Sequence, residues 1–163
     1  LNGVNETDVS LSADVSVAQP GQSAGLIARY SGSGNGSFYQ ADLFNYQGTA
    51  YARLYLSQNG NLTYLNQTAV GSTTGTLRFD VQGSSLKLYL NNALVASAND
   101  TMLASGSVGL ETTGAATIDT SGIAARIVSG RGSLCRTHTR PLSFHVESSA
   151  ISTAPVNCSI GSP

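Results

Sequence analysis

Alternation of apolar and polar residues at every second position is the strongest pattern in this chain. Near the amino terminus, every other residue from Val9 to Val17 is apolar, and the residues between them are serines and one aspartate. A β-strand points successive side chains to opposite faces, so this segment predicts a strand with one buried and one solvated face. Convincing helical periodicity is absent from the sequence, and only residues 100–104 could form a single helical turn behind a capping Asn99 or Asp100.

Turn signals divide the rest of the first 128 residues into further short strands. Asn59-Gly60 is the strongest of these signals, because both central residues of this hairpin turn need a positive φ. Spacing of about 8–12 residues between turns is typical of a sandwich or barrel, and we predict an all-β, antiparallel two-sheet sandwich. The predicted strands cover residues 9–17, 24–30, 38–45, 50–58, 61–66, 76–82, 85–91, 93–98, 107–111 and 123–128.

Composition excludes several classes of partner. Charged residues make up 10% of the 163 residues and the formal net charge is −1, so the chain has no basic surface for nucleic acid. The only lysine is Lys87, and no apolar run approaches the roughly 20 residues that span a bilayer. We therefore expect neither a nucleic-acid nor a membrane partner. The chain begins at Leu1, and we expect a mature or excised piece of an exported protein.

The pattern changes near residue 130, which divides the chain into a sandwich domain, 1–129, and an extension, 130–163. Both cysteines, Cys135 and Cys158, lie in this extension. In a secreted protein they would pair and contribute roughly 3 kcal/mol, while two unrelated free thiols are the alternative. Without clustered histidines, two cysteines do not make a zinc site.

Four segments together resemble a known family in their order and spacing. They are Ala24-Gly25-Leu26-Ile27-Ala28-Arg29-Tyr30, then 38–43, the hairpin 77–91, and Asn99-Asp100 followed by Ser105-Gly106-Ser107-Val108-Gly109-Leu110. This series resembles the concanavalin A-like, laminin G-like jelly rolls of bacterial secreted proteins, over about residues 5–128. The resemblance implies a jelly-roll sandwich, an extracellular location, and a place within a larger multidomain protein. The family hosts glycan-binding modules, glycoside hydrolases and adhesion domains, so fold alone leaves the function open.

The chain departs from this family at both ends. The aromatic-bearing strand that usually begins such domains is missing, and the cysteine-containing extension is not part of the family pattern. Because an unfilled sheet edge invites aggregation, we expect residues 142–146 of the extension to form an added edge strand.

No catalytic constellation is evident. A typical glycosidase needs two carboxyls about 5–10 Å apart across the scissile bond, but Glu111 and Glu147 lie on unrelated segments. Asp42 and Asp80 are isolated strand residues, and no nucleophile motif surrounds any serine. Jelly-roll glucanases carry closely spaced acidic residues on one strand, which this sequence lacks. We therefore predict no catalytic residues.

One predicted hairpin carries a candidate binding face. In the strand 50–58, three apolar residues alternate with Tyr51, Arg53 and Tyr55, which therefore share the other face. The preceding strand contributes outward residues to the same face, and the strand before it adds an arginine. The predicted carbohydrate-binding residues are Arg29, Gln40, Asp42, Tyr51, Arg53 and Tyr55. Ordinary cross-strand pairing, which stabilises many sheets, is the alternative reading of this set.

Two other groups of residues have structural readings. Arg78, Asp80, Lys87 and Tyr89 form a second outward row, which we interpret as cross-strand ion pairing on a solvated face. The resemblance makes a structural Ca²⁺ a candidate, with Asp100 or Asp119 as ligand, although turn capping is the alternative for both. No cofactor is otherwise expected.

The sequence thus favours a non-catalytic carbohydrate-binding module that recognises an extracellular polysaccharide, such as a plant β-glucan, on an exposed sheet face. A structural or adhesion spacer in a large surface protein is one alternative. A jelly-roll glycoside hydrolase is the other.

Overall fold

The computed structural model describes residues 7–33 and 36–127, and for residues 120–127 it describes the backbone alone. The extension 130–163, with Cys135 and Cys158, lies outside the described residues. The disulfide, the added edge strand at 142–146 and the domain boundary near residue 130 therefore stay predictions.

Ten β-strands make up the described part of the chain, which contains no helix. They agree with the predicted strands, except that the fifth runs four residues further and the last begins at Thr117. No helix long and apolar enough to cross a bilayer is found among the described residues. The strands are β1 (Val9–Ser16), β2 (Ser23–Ser31), β3 (Ser37–Tyr46), β4 (Thr49–Gln58), β5 (Asn61–Val70), β6 (Thr74–Gln82), β7 (Ser85–Leu90), β8 (Ala93–Asn99), β9 (Ser107–Thr113) and β10 (Thr117–Ile127).

The strands form two five-stranded antiparallel sheets, which confirms the predicted β-sandwich. The first sheet has the order β10-β1-β6-β7-β8, and the second has the order β5-β4-β3-β2-β9. Apolar side chains from the inner faces of both sheets fill the space between them. Each large apolar side chain buried there contributes about 1.5–3 kcal/mol, and the largest include Phe79 and Leu88 from the first sheet and Leu26, Leu43 and Leu54 from the second.

The hairpin turns have the backbone conformation that their residues predicted. Asn59 and Gly60 have φ values of 51° and 87°, which confirms the turn between β4 and β5. Gln47 and Gly48 adopt φ values of 51° and 90° between β3 and β4. These tight turns fix the register of the three strands that carry the candidate site.

A buried tyrosine organises the segment between β8 and β9. The Tyr39 hydroxyl donates a hydrogen bond of 2.5 Å to Oδ1 of Asp100, and burial raises the pKa of Tyr39 to about 12. The same carboxylate oxygen accepts a hydrogen bond of 2.8 Å from the backbone N–H of Met102. Asp100 therefore caps a turn, and the single helical turn considered for residues 100–104 does not form.

Arg29 departs from its predicted position on the candidate binding face. It lies at an irregularity in β2 with a φ of 54°, and its side chain is only 3% exposed. Its guanidinium donates hydrogen bonds to the carbonyls of Thr7, Gly83 and Leu103, at distances of 2.5–2.8 Å. The expectation that Arg29 belongs to an exposed face is therefore wrong, because these three carbonyls hold its side chain elsewhere.

We predict that Arg29→Lys lowers the free energy of unfolding by about 2–4 kcal/mol, because an ammonium group cannot satisfy three separated carbonyls at once. Chemical denaturation measures the change. The matched control is Arg78→Lys, since Arg78 lies half-exposed on the outer side of the first sheet and should cost less than about 1 kcal/mol. Equal losses in the two variants would contradict the structural role of Arg29.

Candidate functional site

The candidate site lies on the side of the second sheet that faces away from the core, called here the outer face. Strand register places Glu111 of β9 opposite Gly25 of β2, Gly25 opposite Asp42 of β3, and Asp42 opposite Arg53 of β4. Because side chains alternate along each strand, this row and the rows two residues away on either side share the outer face. Three residues that are distant in the sequence are thereby brought together at its centre.

An ion pair occupies the middle of the outer face. Arg53 donates from Nε to Oδ1 of Asp42 at 2.8 Å and from Nη2 to Oδ2, a two-pronged pairing. The Tyr55 hydroxyl donates to the same Oδ2 at 2.9 Å. Asp42 is 0% exposed, so both of its oxygens are satisfied by protein groups rather than by water. Burial raises the pKa of Asp42, whereas the hydrogen bonds from Arg53 and Tyr55 act in the opposite direction.

Two aromatic rings lie close to the Arg53 guanidinium. Its central carbon lies 4.0 Å from the centroid of the Phe44 ring and 5.6 Å from that of Tyr55. Such cation–π contacts, together with the ion pair, raise the cost of any other rotamer. Among the described residues, the hydrogen bonds of this guanidinium use Nε and Nη2 and leave Nη1 for another acceptor. Its side chain remains 12% exposed.

Further tyrosines line the outer face beside this pair. Tyr64 of β5 packs edge-on against Tyr55 with a centroid distance of 5.7 Å, and it is 61% exposed. Tyr51 lies two residues before Arg53 on β4, so its side chain points to the same face, where it is half-buried. The outer face therefore combines exposed ring surface with a fixed arginine.

Glu111 is a member of this face that was not among the predicted binding residues. Burial raises the pKa of Glu111, and the negative charge of Asp42 raises it further, while the Gln40 side chain and Arg53 act in the opposite direction. Alternation along β9 gives the outward phase of Glu111. Only the pairing of β9 with β2, which no local pattern encodes, brings it near Asp42.

The structure brings five of the six predicted site residues together. The five on the outer face are Gln40, Asp42, Tyr51, Arg53 and Tyr55, and Arg29 lies apart. The expected exposure was wrong for three of the five, since Gln40, Asp42 and Tyr55 are buried. Neighbouring polar and aromatic groups on the same face cover them. Their part in ligand binding stays a prediction.

The second outward row makes structural contacts, but its ion pair differs from the predicted one. On the first sheet, Nε of Arg78 lies 3.4 Å from Oδ2 of Asp80 on the same strand. The central guanidinium carbon of Arg78 lies 3.9 Å from the centroid of the Tyr89 ring on the next strand. Asp80 also accepts a hydrogen bond of 2.6 Å from Ser10 of the neighbouring strand. The contacts between strands are thus a cation–π contact and a hydrogen bond, whereas the ion pair runs along β6. The ion pair expected between strands is not seen among the described residues.

A metal site is not evident within residues 7–33 and 36–127, where no group of three or more His, Cys, Asp or Glu side chains could hold an ion. Asp100 uses one carboxylate oxygen to accept two hydrogen bonds, in agreement with turn capping. The Ca²⁺ site proposed for Asp100 or Asp119 stays a prediction.

Gly25 gives the most direct test of this geometry. A Cβ atom on Gly25 would lie 2.7 Å from the Asp42 Cβ and 3.0 Å from the Ala41 carbonyl oxygen. We predict that Gly25→Ala lowers the free energy of unfolding by about 1–3 kcal/mol, because the strand and Asp42 must shift. Thermal or chemical denaturation measures the effect. Gly71→Ala is the matched control, since no atom lies within 4 Å of its Cβ position. Similar losses in both variants would refute the close packing at Gly25.

Comparisons with known proteins agree with this architecture. No protein-family model and no curated protein matches the sequence. Among solved structures, a carbohydrate-binding module, CBM66 from Bacillus subtilis, is similar with a TM-score of 0.59 and 18% identity, over 71% of this chain and 73% of that one. Galectin LEC-6 from Caenorhabditis elegans is similar with a TM-score of 0.52 and 13% identity, over 72% of this chain and 87% of the galectin. Sheep galectin-11 is similar with a TM-score of 0.50 and 10% identity, over 77% of this chain and 98% of the galectin. The chain therefore has the predicted jelly-roll β-sandwich fold, which it shares with a carbohydrate-binding module and with galectins.

Proposed function

We propose that this chain is a non-catalytic carbohydrate-binding domain that holds its ligand on the outer face of the second sheet. The observation that carries the proposal is the fixed Arg53, whose guanidinium pairs with Asp42 and lies over the Phe44 ring, while Tyr55 donates a hydrogen bond to the same Asp42 carboxylate. A buried ion pair often stabilises a fold no better than well-packed apolar residues of similar volume. Its place in the middle of a solvent-side sheet face is therefore better explained by a positioning role.

The groups on this face suit the chemistry of sugars. A sugar ring offers C–H surface to an aromatic side chain and offers hydroxyls to planar polar groups. Tyr64 and Tyr51 supply the aromatic surface, while Arg53 Nη1 and the half-buried Glu111 supply a donor and an acceptor. Asp42, Gln40 and Tyr55 are too deeply buried to reach a ligand, and we assign them to holding these contact groups in place.

The hydrogen bonds of Asp42 argue against the hydrolase alternative. A glycosidase nucleophile or base must present a carboxylate oxygen to the substrate or to a water molecule. Arg53 and Tyr55 occupy both oxygens of Asp42, and the side chain is inaccessible to solvent. With Asp42 inaccessible, Glu111 is the one carboxylate in the described part of this face that could reach a substrate, whereas a typical glycosidase needs two.

The structural neighbours include a carbohydrate-binding module and galectins, which supports the choice of ligand class. We propose an extracellular polysaccharide as the ligand and a larger secreted protein as the setting. Plant β-glucans are the first polysaccharides to test, because the many hydroxyls of an uncharged glycan match the donors and acceptors of this face.

We predict that Tyr64→Ala weakens polysaccharide binding about tenfold, since stacking surface is lost, while the free energy of unfolding changes by less than about 1 kcal/mol. Affinity gel electrophoresis against a polysaccharide panel finds the ligand, and calorimetry with that ligand measures the loss.

The matched control is Tyr89→Ala, which removes a tyrosine from the outer side of the first sheet. It should bind as the wild type does. If Tyr89→Ala rather than Tyr64→Ala weakens binding, the ligand lies on the first sheet. If no polysaccharide retards the wild type, the spacer alternative is favoured.

We also predict that the wild type releases no reducing ends from any polysaccharide it binds, because Asp42 cannot reach the glycosidic bond. A reducing-sugar assay over several days measures this. Release of sugar that disappears in both Asp42→Asn and Glu111→Gln would instead establish the hydrolase reading.

A further inference from the structure

Charge on the outer face is unevenly compensated. Among the described residues, the charged groups that act on Glu111 are Asp42 and Arg53. The guanidinium and the Asp42 carboxylate form a two-pronged pair, so their charges largely cancel for any group that approaches from solvent. The Glu111 carboxylate therefore remains as uncompensated negative charge beside the pair when it is ionised.

Glu111 is placed where a ligand would contact it. It is half-buried, whereas Asp42 on the far side of Gly25 is inaccessible. Partial burial strengthens its interaction with a nearby charge, because solvent screens such a pair less than it screens charges in bulk water. An ionised carboxylate accepts hydrogen bonds strongly and donates none, so it favours the hydroxyl groups of a sugar.

We propose that Glu111 makes this face selective for uncharged glycans and against glycans that carry sulfate or carboxylate groups. The inference rests on the proposed function and names the substrate class of the same site. Glu111 accepts hydrogen bonds from ligand hydroxyls and repels an anionic substituent in their place. Arg53 does not reverse this preference, because its charge is already matched by Asp42.

The selectivity should depend on pH. The groups that face Glu111 are Gln40 and Asp42 on β3 and Arg53 and Tyr55 on β4. Burial and the charge of Asp42 raise the pKa of Glu111 above its ordinary value, although Gln40 and Arg53 act in the opposite direction. Protonation of Glu111 at lower pH removes the repulsion, so the discrimination should fade as the pH falls through this raised pKa. Burial also raises the pKa of Asp42, and protonation of Asp42 would act in the same direction, because it would leave the charge of Arg53 unmatched.

The test compares a neutral β-glucan with its sulfated derivative, since sulfate esters keep their charge throughout the acid range. We expect the sulfated polymer to bind the wild type about tenfold more weakly at pH 7. The ratio should shrink with added salt and shrink again at low pH.

Two variants separate local charge from net charge. Glu111→Gln keeps the side-chain shape and should bring the two polymers to within about twofold of each other. Asp14→Asn is the matched control, because it removes the same charge from an exposed position on β1 of the first sheet. It should leave the tenfold ratio intact.

The outcomes distinguish this inference from the proposed function. Binding of neither polymer, nor of any other glycan in the panel, would overturn both together. Binding of both polymers with equal affinity to the wild type would overturn the charge selectivity while leaving the carbohydrate-binding function. A ratio that persists unchanged in Glu111→Gln and is independent of salt and pH would assign the discrimination to the bulk of the sulfate groups and would also overturn the role of Glu111.

Discussion

The apolar contact between the two inner sheet faces is the constraint on which the rest of the structure depends. Each strand alternates its side chains, so burying the apolar set of β3 and β4 in the core fixes the opposite set on the outer face. A slip of one residue in register would exchange Leu43 and Leu54 with Asp42 and Arg53. The candidate site is thus aligned by the same hydrophobic burial that holds the sandwich together.

The outer face of the second sheet differs from an ordinary solvated face because its centre is buried and polar. Asp42 is covered by its partners Arg53 and Tyr55, and the absence of a side chain at Gly25 lets it lie close to the neighbouring strand. Removing one partner of a buried ion pair leaves a charge without compensation, which costs several kcal/mol. The arginine is therefore held in one geometry, which is the property that a binding site needs from its supporting residues.

Local patterns predicted much of the fold. Alternation and turn signals together located the ten strands of the described residues, and the Asn59-Gly60 pair located a hairpin with both φ values positive. The same period grouped Tyr51, Arg53 and Tyr55 on one face with Gln40 and Asp42, because a hairpin with a short turn has a nearly fixed register. The phase of alternation cannot report how deeply an outward residue is covered, so the burial of Asp42 was missed. Arg29 was misplaced because an irregularity in β2 interrupts the alternation on which its assignment relied.

The sequence by itself determined the strands, their inner and outer faces, and the hairpin that carries Asp42, Arg53 and Tyr55. These features depend on side-chain alternation and turn chemistry, which act over a few residues. Only the tertiary structure decided that β9 lies beside β2, which brings Glu111 across Gly25 from Asp42, and that three distant carbonyls accept hydrogen bonds from Arg29. Such contacts join residues far apart in the chain, and they form only when burial of the shared core selects one arrangement of the strands.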